Sequence, residues 1–164
     1  GHGYPDETTQ TPYLIPVDVD ATNLQSAIKL SEVYAKFGET GAKSITVFLD
    51  ACFSGGGRNQ GLLSARGVRI KPKNENIRGN MVVFAATSGV QVALPFKEQK
   101  HGMFTYFLLK NMQETKGQFT LGQLDDYLRQ NVGLESLRTN SKSQDPEVQA
   151  SPAVENSWRN WTFQ

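Results

Sequence analysis

Cysteine is nearly absent from this 164-residue chain; it occurs once, at Cys52. One thiol excludes any disulfide within the chain and leaves a reducing compartment open without specifying one. Long hydrophobic runs are missing too. No stretch approaches the roughly 20 apolar residues of a membrane span, so no membrane partner is expected. Neither sign of charge dominates, with 17 Lys and Arg against 16 Asp and Glu and a formal net charge of +1. Internal repeats are absent. The Gly55-Gly56-Gly57 loop follows an apolar run, as a phosphate cradle would, but lacks the G-x-x-x-x-G-K-[ST] spacing and its lysine; G-x-G-x-x-G is missing as well. What remains is the composition of a soluble globular protein, 38% hydrophobic and 20% charged. Its length fits one domain, residues 1–164, with a core of its own.

Cys52 closes a hydrophobic run, Ile45-Thr-Val-Phe-Leu-Asp-Ala-Cys52, and Phe53-Ser-Gly-Gly-Gly57 follows it. Fifty residues upstream stands Gly1-His2-Gly3. A thiol with an ordinary pKa of about 8.5 is mostly protonated at neutral pH, so a nucleophilic cysteine needs an imidazole or another positive partner. The strand end fixes the sulfur, and the glycines admit a substrate without Cβ clashes. Acyl transfer also needs donors for a developing oxyanion; the backbone N–H groups of Gly3 and Cys52 are the candidates. Together these residues suggest a Cys–His hydrolase. Plainer readings compete at each position. A lone cysteine at a strand end is commonly inert packing. His2 could be a frayed terminal residue or the remnant of a tag. His101, also followed by glycine, is a rival imidazole or a loop and cap residue. Asp50 could simply accept backbone hydrogen bonds.

Along the chain, Thr11 to Val17 reads as an extended segment broken by two prolines. Thr22 and Gln25 have capping-box spacing, and Leu24, Ala27, Ile28, Tyr34 and Phe37 predict a helix from there to about Gly38. Ile45–Leu49 and Met81–Ala86 are nearly all apolar, as in strands covered on both faces. Phe104–Met112 predicts a buried helix. Thr120 and Gln123 form a second capping box ahead of Leu121, Leu124, Leu128 and Val132. Trp158–Phe163 alternates as a late edge strand, unless its aromatics are core anchors. Strands alternating with helices predict an α/β fold with a largely parallel sheet. The Asn160-Trp-Thr162 sequon has meaning only on a eukaryotic secretory route.

Leu49-Asp-Ala-Cys-Phe-Ser-Gly55 together with Gly1-His-Gly3 resembles the caspase-fold cysteine peptidases, peptidase family C14. The caspase pattern Q-A-C-[RQG]-G carries its histidine about 50 residues upstream. Here Asp50 replaces the glutamine and Phe-Ser-Gly follows the cysteine, which is the form of the bacterial metacaspase-like branch. Met81–Ser88 and His101–Leu109 also resemble the family. The resemblance implies a three-layer α/β/α sandwich with a mostly parallel central sheet, here lacking its N-terminal strands, so that an N-terminal partner segment would complete the fold. It implies Cys52 as nucleophile, His2 as general acid/base, and Gly3 with Cys52 as the oxyanion hole. It makes Asp50 the acidic S1 residue. A carboxylate there repels a P1 aspartate and pairs with a P1 cation, so the expected substrate is a peptide or protein cut after Arg or Lys. The chemistry needs no metal. Calcium activates many members of that branch, but Asp18 and Asp20 alone do not make a site, since calcium takes roughly 6–8 oxygen ligands. The competing class is a caspase-like binding or scaffold module without turnover.

One stretch is strongly biased. Residues 56–80 carry Arg58, Arg66, Arg69, Lys71, Lys73 and Arg78 against a single acid, Glu75, a charge of +5 where the rest of the chain sums to −4. A solvated surface loop accounts for this equally well. No aromatics interleave, so a nucleic-acid partner is not expected. In an enzyme with an acidic S1 pocket, a basic loop just past the nucleophile reads as an activation loop between large- and small-subunit parts. Its six cations are then the candidate processing sites.

Overall fold

The computed structural model describes residues 2–19, 24–54 and 70–163. The chain opens with an antiparallel hairpin. Strand β1 (His2–Pro5) pairs with β2 (Pro12–Ile15), His2 opposite Ile15 and Pro5 opposite Pro12. The prolines close the paired segment, where a missing N–H costs least. The connection is tied by Asp6, whose carboxylate accepts from the Thr9 N–H (2.6 Å), the Thr9 hydroxyl (2.8 Å) and the Thr8 N–H (3.1 Å). Those bonds, the Thr9 backbone first, hold the Asp6 carboxyl below its usual range.

The helix expected from Thr22 begins later. Leu24–Ser26 is a single 3-10 turn, and Ile28 and Lys29 form a short strand, β3 (Ile28–Lys29), on the free edge of β2. Only then does α1 (Leu30–Gly38) start, with Lys29 in extended conformation at its N-cap. Pairing with Tyr13 and Leu14 gives the backbone of Ile28 and Lys29 an alternative to helical bonds, and Ile28 is left exposed. Thr22 itself lies outside the described residues.

The central sheet follows the two apolar runs. Strand β4 (Ile45–Leu49) pairs in parallel with β5 (Met81–Ala85). Two short strands, β6 (Pro95–Phe96) and β7 (His101–Gly102), make a small hairpin that leads into α2 (Met103–Thr115). Helix α3 (Leu121–Asn140) starts at the expected capping box: Thr120 Oγ1 accepts from the Gln123 N–H, and Gln123 Oε1 from the Thr120 N–H. Strand β8 (Glu147–Ala150), unforeseen in the sequence, then adds to β5 in antiparallel sense. Two helices in succession return the chain to the end of the sheet it left, so the next strand must run backwards. The sheet, in the order β4-β5-β8, is therefore mixed, with one parallel and one antiparallel pairing among the described residues.

Period-2 alternation divides the core between the two sheet faces. Val82 and Phe84 pack with Met103, Phe104, Phe107, Leu121, Leu124 and Leu128 of α2 and α3. Met81 and Val83 pack with Leu30 and Tyr34 of α1. Each such apolar side chain contributes about 1.5–3 kcal/mol by leaving water. The expected edge strand at Trp158–Phe163 is absent. Trp158–Asn160 is a 3-10 turn, Thr162 makes one bridge to Thr120, and Trp158 stands edge-on to Phe84 with ring centroids 6.1 Å apart. The aromatics there are anchors.

Candidate active site

Strand β4 ends at Leu49, and Asp50 and Cys52 follow with Ala51 between them. Alternation turns Asp50 and Cys52 toward the α2 side and Ala51 and Phe53 toward α1. Cys52 accordingly belongs to the core cluster of α2 and α3, Ala51 and Phe53 to that of α1. Cys52 is only 5% exposed. Its Sγ lies 2.8 Å from the Ala93 N, which donates to it, and 3.7 Å from the Ala93 carbonyl, to which a thiol hydrogen can donate. The sulfur is thus served by a backbone donor suited to a thiolate, and covered by the segment that supplies it.

That segment, 91–94, is held from both sides, and its sequence gave no motif to find it by. Ser54 Oγ donates to the Gln91 carbonyl (3.0 Å). Fully buried Gln144, in the turn between α3 and β8, accepts from the Leu94 N–H (2.8 Å) and donates to the Ala86 carbonyl (3.0 Å). Gln91 Oε1 accepts from the Asp145 N–H (2.8 Å), and Gln91 Nε2 donates to the Asp145 carboxylate.

The β1–β2 hairpin lies against the other side of the nucleophile turn. A Cβ on Gly3 would stand 2.5 Å from Phe53 Cδ1 and 2.6 Å from the Cys52 carbonyl oxygen, distances no real side chain adopts. Glycine at position 3 is what lets β1 close onto the Cys52–Phe53 backbone. His2, its neighbour, is exposed. His101 stands elsewhere, on the wall of a cavity that Asp50 also lines.

That cavity, about 450 Å³, is bounded by Asp50, Pro95, Phe96, Lys97, Lys100, His101, Gly102 and Thr105. Segment 93–97 passes Cys52 and then walls this space, so pocket and thiol are neighbours along one strip of chain. Half-buried Asp50 accepts through Oδ2 from Thr105 Oγ1 (2.6 Å) and the Thr105 N–H (3.3 Å). The plain reading of Asp50, as an acceptor of a backbone hydrogen bond, is therefore realised alongside its place in a pocket.

Of the basic-loop residues, Arg58, Arg66 and Arg69 lie outside the described residues. Lys71, Lys73 and Arg78 are exposed, and the Lys73 N–H donates to the Gln10 carbonyl in the β1–β2 connection (3.0 Å). Lys71 and Lys73 also border a second cavity, about 380 Å³, on the α1 side with Tyr34 and Glu75. Asp18 is exposed and Asp20 falls outside the described residues, among which no group of three or more His, Cys, Asp or Glu could hold a metal ion. No helix among the described residues is long and apolar enough to cross a membrane.

Cys52 thus stands just past the C-terminal end of a sheet strand, between the Gly3 strand and a side pocket. The model of the caspase domain, peptidase family C14, matches residues 1–156, and the chain belongs to that family. No curated protein matches the chain.

Proposed function

We propose that this protein is a cysteine endopeptidase of the metacaspase-like branch that hydrolyses peptide bonds after Arg or Lys. The observation that carries it is the close fit of Gly3 on the Cys52 backbone, which sets the His2-bearing strand beside the nucleophile turn. Cys52 Sγ attacks the scissile carbonyl carbon while its proton passes to His2. The N–H groups of Gly3 and Cys52 hold the oxyanion. Collapse breaks the C–N bond, and His2 gives its proton to the departing amine. Water then attacks the thioester, losing a proton to His2, and the acid leaves as the thiol is restored. Before the first step the substrate must displace Ala93 from Sγ.

Asp50 is the P1 selector in this reading, its carboxylate pairing with the substrate cation. Autoprocessing falls in the basic loop, at one or more of Arg58, Arg66, Arg69, Lys71, Lys73 and Arg78. Helices on both sheet faces fit the smaller portion of a three-layer α/β/α sandwich. In that arrangement β4, the outer strand among the described residues and half-buried along its five positions, takes up an N-terminal partner segment that extends the parallel part of the sheet. Nucleic acid and membrane have no part in it, and the chemistry requires no metal.

Two observations favour other readings. Lys97 and Lys100 on the pocket wall favour an acidic P1. The burial of Cys52 favours a binding module without turnover. Peptide hydrolysis separates all three: substrates with P1 Arg or Lys should be cut, P1 Asp should not, and Cys52→Ala should abolish turnover. Cleavage after Asp alone refutes the basic-P1 assignment. Binding of Arg peptides without cleavage refutes the enzyme.

A further inference from the structure

We infer that Thr105 is the positioning residue of the P1 pocket, fixing the Asp50 carboxylate for a substrate cation. This rests on the reading of Asp50 as P1 selector and adds a residue 55 positions away that no motif marks. Thr105 is the third residue of α2, and the N-cap of that helix, Gly102, has no side chain with which to cap it. The first-turn N–H groups of a helix lack intrahelical acceptors and carry partial positive charge. Asp50 fills the role from another element: its Oδ2 sits 3.3 Å from the Thr105 N and 2.6 Å from Thr105 Oγ1.

The hydroxyl decides the orientation. Lys97 and Lys100 line the same cavity, and an untethered carboxylate among them would turn toward whichever ammonium came nearest. A short charge-assisted bond from a β-branched side chain, itself stiff at χ1, pins one oxygen to the rigid end of α2 instead. That oxygen of the carboxylate then keeps a fixed position when a ligand cation binds. The wall formed by Phe96, edge-on to Tyr106 with centroids 5.0 Å apart, gives the stem of an Arg or Lys side chain an apolar surface.

The test is peptide affinity on a Cys52→Ala background, which does not depend on turnover. Peptides ending in Arg are compared with the same peptides ending in citrulline, which keeps the shape and removes the charge. Thermal unfolding is followed in parallel. Thr105→Val should cut the preference for Arg over citrulline about tenfold, the weight of one charge-assisted hydrogen bond. Thr105→Ser should restore it, and Asp50→Asn should abolish it. Thr105→Val that lowers thermal stability while the preference stands would reduce Thr105 to a helix-capping role and overturn the inference alone. No preference for Arg in the parent, or one that survives Asp50→Asn, would overturn the P1 reading and the inference with it.

Discussion

At the scale of single residues, Gly3 is where sequence and geometry meet most tightly. Adding one methyl group there drives a Cβ into the Cys52 carbonyl, which as backbone has little room to yield. Gly3→Ala should lower kcat/KM by at least tenfold, at a stability cost of about 1–3 kcal/mol typical of overpacking. Steady-state kinetics beside urea denaturation would show it; an unchanged kcat/KM would mean that the hairpin is not part of the site. Tyr34 makes a prediction about pH. Burial first, and the charge of Glu75 second, raise its phenol well above the ordinary value near 10. The folded protein therefore keeps a proton that the unfolded chain releases, and stability falls as pH climbs above about 10 while staying unaffected below it. Tyr34→Phe should flatten that alkaline decline, read as denaturation midpoints at about pH 9 and pH 11.

Among the elements, the cover over Cys52 depends on a side chain from a distant part of the chain, Gln144. Gln144→Ala would strand the Leu94 N–H and the Ala86 carbonyl, each at about 1–3 kcal/mol if left unsatisfied. The protein should lose stability, and segment 91–94 should lift from the thiol. Alkylation of Cys52 by iodoacetamide should then speed up under conditions where the protein remains folded; an unchanged rate would show that Gln144 does not hold the cover. Nothing in the sequence announced this. Gln144 lies 92 positions from Cys52 in a polar turn, and a glutamine carries no periodic or capping signal. The elements that were legible are those whose information is local: the apolar runs of β4 and β5 and the capping box of α3. Helix α1 was misplaced at its start because pairing of β3 with β2 outweighed a capping motif. The antiparallel β8 was missed because Glu147–Ala150 carries one large apolar residue, and its partner strand alone decides its place.

Across the whole molecule, the C-terminal segment beyond the family match is fastened rather than trailing. Arg159 reaches the buried Asp125 (2.9 Å) and the exposed Asp126 (2.8 Å), donates to the Gly122 carbonyl (3.2 Å) and stacks on Trp158. Asp125 is also paired with Arg129, so it keeps one partner if Arg159 is lost. Arg159→Ala should therefore cost about 1–2 kcal/mol, well short of removing a buried partnerless charge. A melting temperature unchanged within error would show the tail to be dispensable. The candidate residues Cys52, His2, Gly3 and Asp50 were legible at this scale, all being visible in short motifs. Their assembly was not. What covers the thiol and what holds Asp50 are set by contacts between residues 41 to 55 positions apart.

The central claim is that Cys52 is a nucleophile served by His2 beside a pocket for a basic side chain. Its most direct test is labelling by a peptidyl chloromethylketone ending in Arg, next to one ending in Asp, with the modified residue located by mass spectrometry. Rapid alkylation of Cys52 by the Arg reagent, slow alkylation by the Asp reagent, and loss of the rapid reaction in His2→Ala are the predicted results. Cys52 left unlabelled by both in folded protein, or labelled faster by the Asp reagent, would contradict it.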